Sequence, residues 1–257
     1  MTTEFVDAYA HCGLSKYRPL PQLEEAMHIA SVDRAVLVQH FGEFDNSYLQ
    51  QILETNPSKF AGVFLIDPAS PQALEHLEQW SETEAFRGVR FVTDSLISHG
   101  ALWHRAAELG LNLVIYAPND VTRYMTELTG FLNEHSSTTI VLSHFGLGRE
   151  REEKTFFRQR SAFQLAEHEN VYFQVSGMHM FCDYPFEPMQ FLVNDAMLTF
   201  GPDRMLWGGN YPVMGSDQDY AREAEFIRSG GFDVQPEDVD KITCRTAMRV
   251  WFSQEEL

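Results

Sequence analysis

The stretch Phe5–Gly13, FVDAYAHCG, decides the fold. It is short and largely apolar, it stops at a glycine, and it carries Tyr9 and His11 two residues apart near its end. Side chains at i and i+2 of a strand share a face. The stretch is therefore expected to be a strand that presents a tyrosine and a histidine together. Seven further runs of this kind follow: RAVLVQH from Arg34, FAGVFLI from Phe60, FRGVRF from Phe86, LNLVIYA from Leu111, TIVLSH from Thr139, VYFQVSG from Val171 and MLWGGNY from Met205. They mostly lack strict alternation, as strands buried on both faces of a parallel sheet do.

Helix-like segments separate the runs. PQLEEAMHIAS places Pro21 in a first turn, NSYLQQILETN offers Asn46 as an N-cap, PQALEHLEQW repeats the pattern, and ALWHRAAELG ends on Gly110 as a C-cap. Proline at the start and glycine at the stop is the expected asymmetry. The strand starts recur about every 25 to 35 residues, the length of one βα unit. Eight such units predict an α/β fold, a (β/α)8 TIM barrel occupying residues 1–257 as a single domain. An eighth helix is expected over Asp217–Gly231, and PEDVDKITCRTAMRVWF reads as an extra C-terminal helix.

The formal net charge is −18, with no Lys/Arg-rich run. That argues against nucleic-acid or anionic-membrane partners, while a locally positive pocket could still take an anionic small molecule. Cys12, Cys182 and Cys244 are scattered and odd in number, which fits neither a disulfide framework nor a structural zinc site. With no signal-like N-terminus and no apolar run near 18 residues, a cytoplasmic protein is expected. Assembly into a homo-oligomer is compatible with the sequence.

In such a barrel the active site lies at the C-terminal ends of the strands. Those ends carry Tyr9 and His11, Gln39 and His40, Arg90, Tyr116, Ser143 and His144, and Asn210 and Tyr211, while Ser176 and Gly177 lead into a loop with His179 and Asp183. Of the ten histidines, His28, His76, His104, His135 and His168 fall in helix-like segments and read as surface or packing residues.

These stretches resemble the amidohydrolase superfamily, and within it the amidohydrolase-related branch of sugar-acid and pyrone-dicarboxylate lactonases. VDAYAHCG is similar to the family's D-x-H-x-H strand, and DRAVLVQHFGEFDNSYLQQILETNPSKFAGVFLIDP to its second and third units. FRGVRF, IVLSHFG, VYFQVSG and DRMLWGGNYPV follow in family order. The metal-dependent pattern of that family has two histidines on strand 1, one each on strands 5 and 6, and an aspartate after strand 8. The corresponding residues here are Tyr9, His11, Tyr116, His144 and Asn210. A catalytic zinc needs about three His, Asp, Glu or Cys ligands, so no metal and no other cofactor is expected.

What the resemblance implies is a metal-independent lactonase acting on a carboxylated or sugar-acid substrate. In metal-free relatives the strand-8 aspartate is the expected base, and Asn210 cannot take a proton. A histidine is suited to that role near neutral pH, His144 first and His11 second. Tyr9 and Tyr116 are expected to donate hydrogen bonds to a carbonyl oxygen, and Asn210 to orient water or bind an oxyanion. Arg90 reads either as a carboxylate clamp or as the partner of a structural carboxylate. Gln39, His40, His179 and Tyr211 are candidates for substrate contact, and Tyr116 can equally be barrel filling. His179 and Asp183 read as an acid/base pair, as ligands of a weak metal site, or as solvated loop residues. Competing readings are a non-hydrolytic isomerase or lyase on a similar substrate, and a non-catalytic binding protein on the same frame.

Overall fold

The computed structural model describes residues 4–148, 153–213 and 215–252. Eight strands follow one another in chain order, all parallel: β1 (Val6–Ala10), β2 (Arg34–Val38), β3 (Phe60–Phe64), β4 (Phe86–Val92), β5 (Asn112–Tyr116), β6 (Ile140–Leu142), β7 (Val171–Ser176) and β8 (Met205–Gly208). The ring is drawn shut just beyond β8, where Asn210 N–H donates to Tyr9 O (2.7 Å) and His11 N–H to Tyr211 O (2.8 Å). This is the (β/α)8 barrel that the eight apolar runs require.

The helices are α1 (Leu20–Ala30), α2 (Ser47–Thr55), α3 (Ala73–Ser81), α4 (Asp94–Ser98), α5 (Gly100–Glu108), α6 (Met125–Glu134), α7 (Glu153–Gln159), α8 (Gln190–Thr199), α9 (Asp217–Arg228), α10 (Pro236–Asp240) and α11 (Thr246–Trp251). Pro21 lies in the first turn of α1, and Gly110 takes a positive φ just past α5, as the sequence predicts. Asn46 precedes α2 but makes no cap hydrogen bond. Its amide instead bridges to β3's exit, donating to Leu65 O and accepting from Leu65 N–H. A helix over Asp217–Gly231 is expected, and α9 stops at Arg228, started by a capping box of Ser216 and Asp219.

Two apolar layers hold the barrel. Strand residues such as Leu37, Phe64 and Phe173 face the helices with Trp103. Val6, Ala8, Val36, Val38, Ala61, Val63, Val114, Val141 and Leu206 fill the lumen. The expected C-terminal helix is α10 and α11 joined through a π-helical turn at Lys241–Arg245. It packs Ala247, Met248 and Trp251 into the lumen's lower end, and Asn112 Nδ2 ties it there by donating to Val250 O (2.7 Å). Truncating a buried tryptophan such as Trp251 to alanine costs about 3–5 kcal/mol.

β1 carries the irregularity that shapes the mouth. Asp7 is paired with Ala35 but Ala10 with Leu37, so one extra residue is inserted in β1. Such a bulge re-aims side chains. Ala8 and Tyr9 both enter the lumen cluster, while Asp7 turns outward to α9, where it accepts the Tyr220 hydroxyl.

Candidate active site

Five side chains meet at the C-terminal ends of β1, β4, β5 and β6. The Tyr9 ring lies 4.6 Å from the His144 ring and 5.2 Å from that of His11. Tyr116 is edge-on to His144 at 5.8 Å. The Arg90 guanidinium sits between the two tyrosines, 5.7 Å from the Tyr9 ring centre and 5.1 Å from that of Tyr116. Tyr17, from the loop after β1, stacks on His11 at 4.9 Å and meets His40 edge-on at 4.9 Å. Tyr9, His11, His40, Arg90, Tyr116, His144 and Asn210 are all buried.

Local backbone geometry sets each group. The bulge holds Tyr9 in the mouth, and Asp7 Oδ1 fixes the bulge by accepting Tyr9 N–H (2.9 Å) and Gly209 N–H (2.8 Å). A Cβ on Gly208 would stand 2.5 Å from Tyr9 Cβ, so only glycine lets β8 approach β1 here.

His144 lies past the end of β6 in a left-handed turn, with φ 52° at His144 and 61° at Phe145. Such a conformation costs a non-glycine residue about 1–3 kcal/mol. It is held by His144 N–H donating to Ser176 Oγ (3.0 Å) and Gln159 Nε2 donating to Phe145 O (2.7 Å). Ser176 Oγ also lies 2.9 Å from His144 Nδ1 and 3.4 Å from Gln174 Oε1, and Gln174 Nε2 donates to Ala8 O. When Ser176 turns its one proton to Gln174, Nδ1–H of His144 donates to Ser176. Nε2 then keeps its lone pair.

His11 is fixed more simply. Its Nδ1 is 2.6 Å from Val38 O. A carbonyl only accepts, so Nδ1 carries the proton and Nε2 is the acceptor.

The charge of the mouth is Arg90. Its Nη1 donates to Gln39 O (3.1 Å), and among the described residues its Nε has no hydrogen-bond partner and no carboxylate pairs with it. A structural carboxylate partner, one of the two readings of this residue, is not found among the described residues. Burial holds the His144 pKa down to about 3 and that of His11 well below its usual value, with the Arg90 charge as the second cause for each. Both imidazoles are therefore neutral at pH 7. Burial pushes the Tyr9 phenol up to about 12, against the pull of Arg90. Tyr9 thus stays protonated; among the described residues its hydroxyl makes no hydrogen bond, although the Ser143 hydroxyl, which donates to Ile115 O, lies near enough to lower the phenol pKa slightly.

The other candidates divide. Asn210, at φ 58°, donates from Nδ2 to Met180 Sδ (3.2 Å). A Cβ on Gly177 would sit 3.0 Å from His144 Nδ1 and 3.1 Å from Asn210 Nδ2, so both groups converge on that glycine. His40 reaches the cluster through Tyr17, whereas the Gln39 side chain is spent on its own loop, donating to Asp45 O and accepting from His40 N–H. The Tyr211 hydroxyl points away, to Arg18 and Asp217. His179 Nδ1 faces Glu223 (3.2 Å), and the two border a separate cleft of ≈200 Å³ with Asp183. Asp7, Tyr17 and Gln174 take part without having been singled out by the sequence, and Ser176, which the sequence places only on the way into a loop, is a direct partner of His144. A cavity of ≈720 Å³ lies at the opposite end of the barrel near Glu4, Asp33 and Arg228 and holds none of the clustered groups.

The mouth does not suit a divalent ion. Among the described residues, the only three His, Cys, Asp or Glu side chains whose donor atoms converge lie elsewhere. Tyrosine and carboxamide are poor ligands for such an ion, and the Arg90 charge that disfavours imidazolium opposes a cation too.

Comparison with known proteins places this arrangement in a wider set. The family model described as Amidohydrolase matches residues 18–252. The L-fucono-1,5-lactonase of Burkholderia multivorans (strain ATCC 17616 / 249) is 23% identical over 215 residues, covering 74% of this chain and 71% of its own. An amidohydrolase from Burkholderia multivorans, solved with bound zinc, superposes with TM-score 0.76 at 19% identity, over 96% of this chain and 98% of that one. A Pseudomonas putida protein assigned as a 2-pyrone-4,6-dicarboxylic acid hydrolase superposes with TM-score 0.75 at 21% identity, over 97% and 98%.

Proposed function

This chain belongs to the amidohydrolase family, and from that premise we propose that it opens a small lactone or related cyclic ester bearing a carboxylate, without a divalent ion at the barrel mouth. The observation that carries the reading is Arg90, a buried guanidinium between Tyr9 and Tyr116 with an unpartnered Nε and no carboxylate among the described residues. A buried charge is costly until paired, and a planar carboxylate matches its fork. The likeness to an L-fucono-1,5-lactonase supports the ester class.

In the proposed reaction the substrate carboxylate docks on Arg90 and the ring carbonyl lies toward the Tyr9 hydroxyl. Neutral His144 takes a proton through Nε2 as water adds to the carbonyl carbon. Tyr9 donates to the developing oxyanion, an interaction of the kind whose loss costs about 10²–10³ in rate. The ring C–O bond then breaks and the alkoxide takes the proton back from His144, leaving a hydroxy acid. Before Arg90 is paired, His144 is a weak base, because burial and the Arg90 charge both oppose imidazolium. Pairing Arg90 with a carboxylate removes the second of these causes, so substrate binding itself strengthens the base.

The test is turnover of a lactone panel in ¹⁸O-labelled water, with carboxylated and uncharged members matched in ring size. Hydrolysis puts one label into the new carboxylate. Turnover without label supports the isomerase or lyase reading, and binding without turnover supports a non-catalytic protein.

A further inference from the structure

Three coordinating side chains meet far from the mouth, on the seam between α5 and α6. His104 lies on α5, Glu134 ends α6 and His135 is its C-cap. His104 Nδ1 is 2.7 Å from His135 Nε2 and 3.7 Å from Glu134 Oε2, and the three donor atoms all lie within 4.8 Å of one another. Both imidazoles rest against Phe131, with ring centres 5.4 Å and 4.7 Å away. That contact restricts their rotation before any ligand arrives. The sequence suggests only surface or packing roles for these histidines, because 31 residues separate them and only helix packing joins them.

We infer that His104, Glu134 and His135 form a site for a zinc-like divalent transition ion, distinct from the barrel mouth. Zinc bonds to nitrogen and oxygen run about 2.0–2.2 Å in a tetrahedron, which sets donor-to-donor edges of roughly 3.4 Å. The observed 2.7 and 3.7 Å bracket that edge. The imidazole pair must open by roughly 0.7 Å to match it, a small rotation for side chains at the surface. One N–H now bridges the two rings. On metal binding the donor ring moves that proton to its other nitrogen, so both rings coordinate as neutral imidazoles. Glu134 supplies the third ligand and water the fourth. Two imidazoles and a carboxylate suit zinc, copper or nickel better than magnesium or calcium.

The electrostatic setting favours a cation. Arg105, the next residue after His104, is already paired with Glu78 and Glu108, and the whole chain carries a net charge of −18. His135 lies ahead of β6, hence toward the end of the barrel opposite the mouth. Metal found with the purified protein would then report the seam and leave the chemistry of the mouth untouched.

The experiment is a zinc titration of chelator-treated full-length protein by calorimetry, with cobalt as a spectroscopic probe of the coordination. One equivalent is expected in the parent, with affinity at least about tenfold weaker in His104→Ala and in His135→Ala. Cobalt should give visible bands in the parent that disappear in both variants. Lactone turnover should be the same in parent and variants, with or without zinc, and the metal-free melting curves of the variants check that they fold. Absence of zinc binding up to about 1 mM, a value weak beside structural zinc, would overturn the inference and leave a plain histidine–histidine hydrogen bond. So would an equivalent retained by the double variant. If that equivalent disappears in His144→Ala, the ion sits at the mouth and the metal-free reaction fails with it; if not, only the seam site fails.

Discussion

Replacing Arg90 with methionine separates the proposed carboxylate clamp from a merely structural arginine. Methionine roughly keeps the length and removes the charge. Truncating one partner of a buried, hydrogen-bonded charge pair costs about 3–4 kcal/mol, so kcat/KM on a carboxylated lactone should fall roughly 100- to 1,000-fold. On an uncharged lactone of the same ring size the clamp has nothing to hold, and activity should change little. The Arg90 charge is the second cause of the low His144 and His11 pKa values. Its removal should therefore move the acid limb of the pH–rate profile on the uncharged substrate to higher pH. Stability has the opposite sign from activity. In the free protein the guanidinium is buried with its Nε unpartnered, so an apolar replacement should stabilise by about 1–3 kcal/mol, less whatever Gln39 O loses with its donor. The assays are steady-state kinetics on the matched pair of lactones and thermal melts of the two proteins. An equal fall on both lactones together with a lower Tm would refute the reasoning, since it would make Arg90 a framework residue.

Tyr9→Phe keeps the ring packing and removes the unpartnered hydroxyl; kcat should fall roughly 10²–10³-fold with KM little changed, and Tm should hold or rise. Ser176→Ala removes the acceptor of His144 N–H and the neighbour of its Nδ1; kcat should fall while the carboxylated-to-uncharged preference set by Arg90 survives, as single-turnover rates on both lactones can show. Burial raises the Asp7 pKa to about 7, so the folded state binds more protons than the unfolded chain between about pH 4 and 7, and the stability Asp7 contributes at low pH is lost as pH rises through 7. Asp7→Asn cannot titrate, so its stability relative to the parent should improve by roughly 3–4 kcal/mol from pH 4 to pH 8 in urea melts; a pH-independent difference would contradict the raised pKa.

The barrel was legible because eight apolar runs at even spacing leave few alternatives. The rim was legible as a set of residues, though its geometry was not. Asp7, Tyr9 and His11 alternate as if on one face, yet the bulge sends Asp7 to α9 and Tyr9 into the lumen. Alternation carries no mark of an inserted residue. His144 looks like a strand end in TIVLSH, but the left-handed turn that aims it is set by contacts to Ser176 and Gln159, 32 and 14 residues away. Tyr211 follows Asn210 in the sequence, yet its hydroxyl turns away from the mouth to Arg18 and Asp217. The state of Arg90 could not be read at all. A sequence shows that an arginine is present, and only the fold shows which carboxylates fail to reach it.

One charge acts beside burial throughout the mouth. Arg90 adds to burial in keeping His11 and His144 neutral, and it opposes the cation that two histidines would otherwise invite. It draws the Tyr9 phenol pKa down, but burial outweighs it and the proton stays on. The mouth therefore presents a fixed positive charge, two neutral acceptors and a phenol donor. A carboxylate cancels the charge and in doing so releases one of the two restraints on His144. A ligand without a carboxylate leaves that restraint in place, however well it fits. Selectivity and base strength are thus two consequences of the same pairing. A mutation that keeps the Arg90 charge but displaces it from the tyrosines should weaken both together.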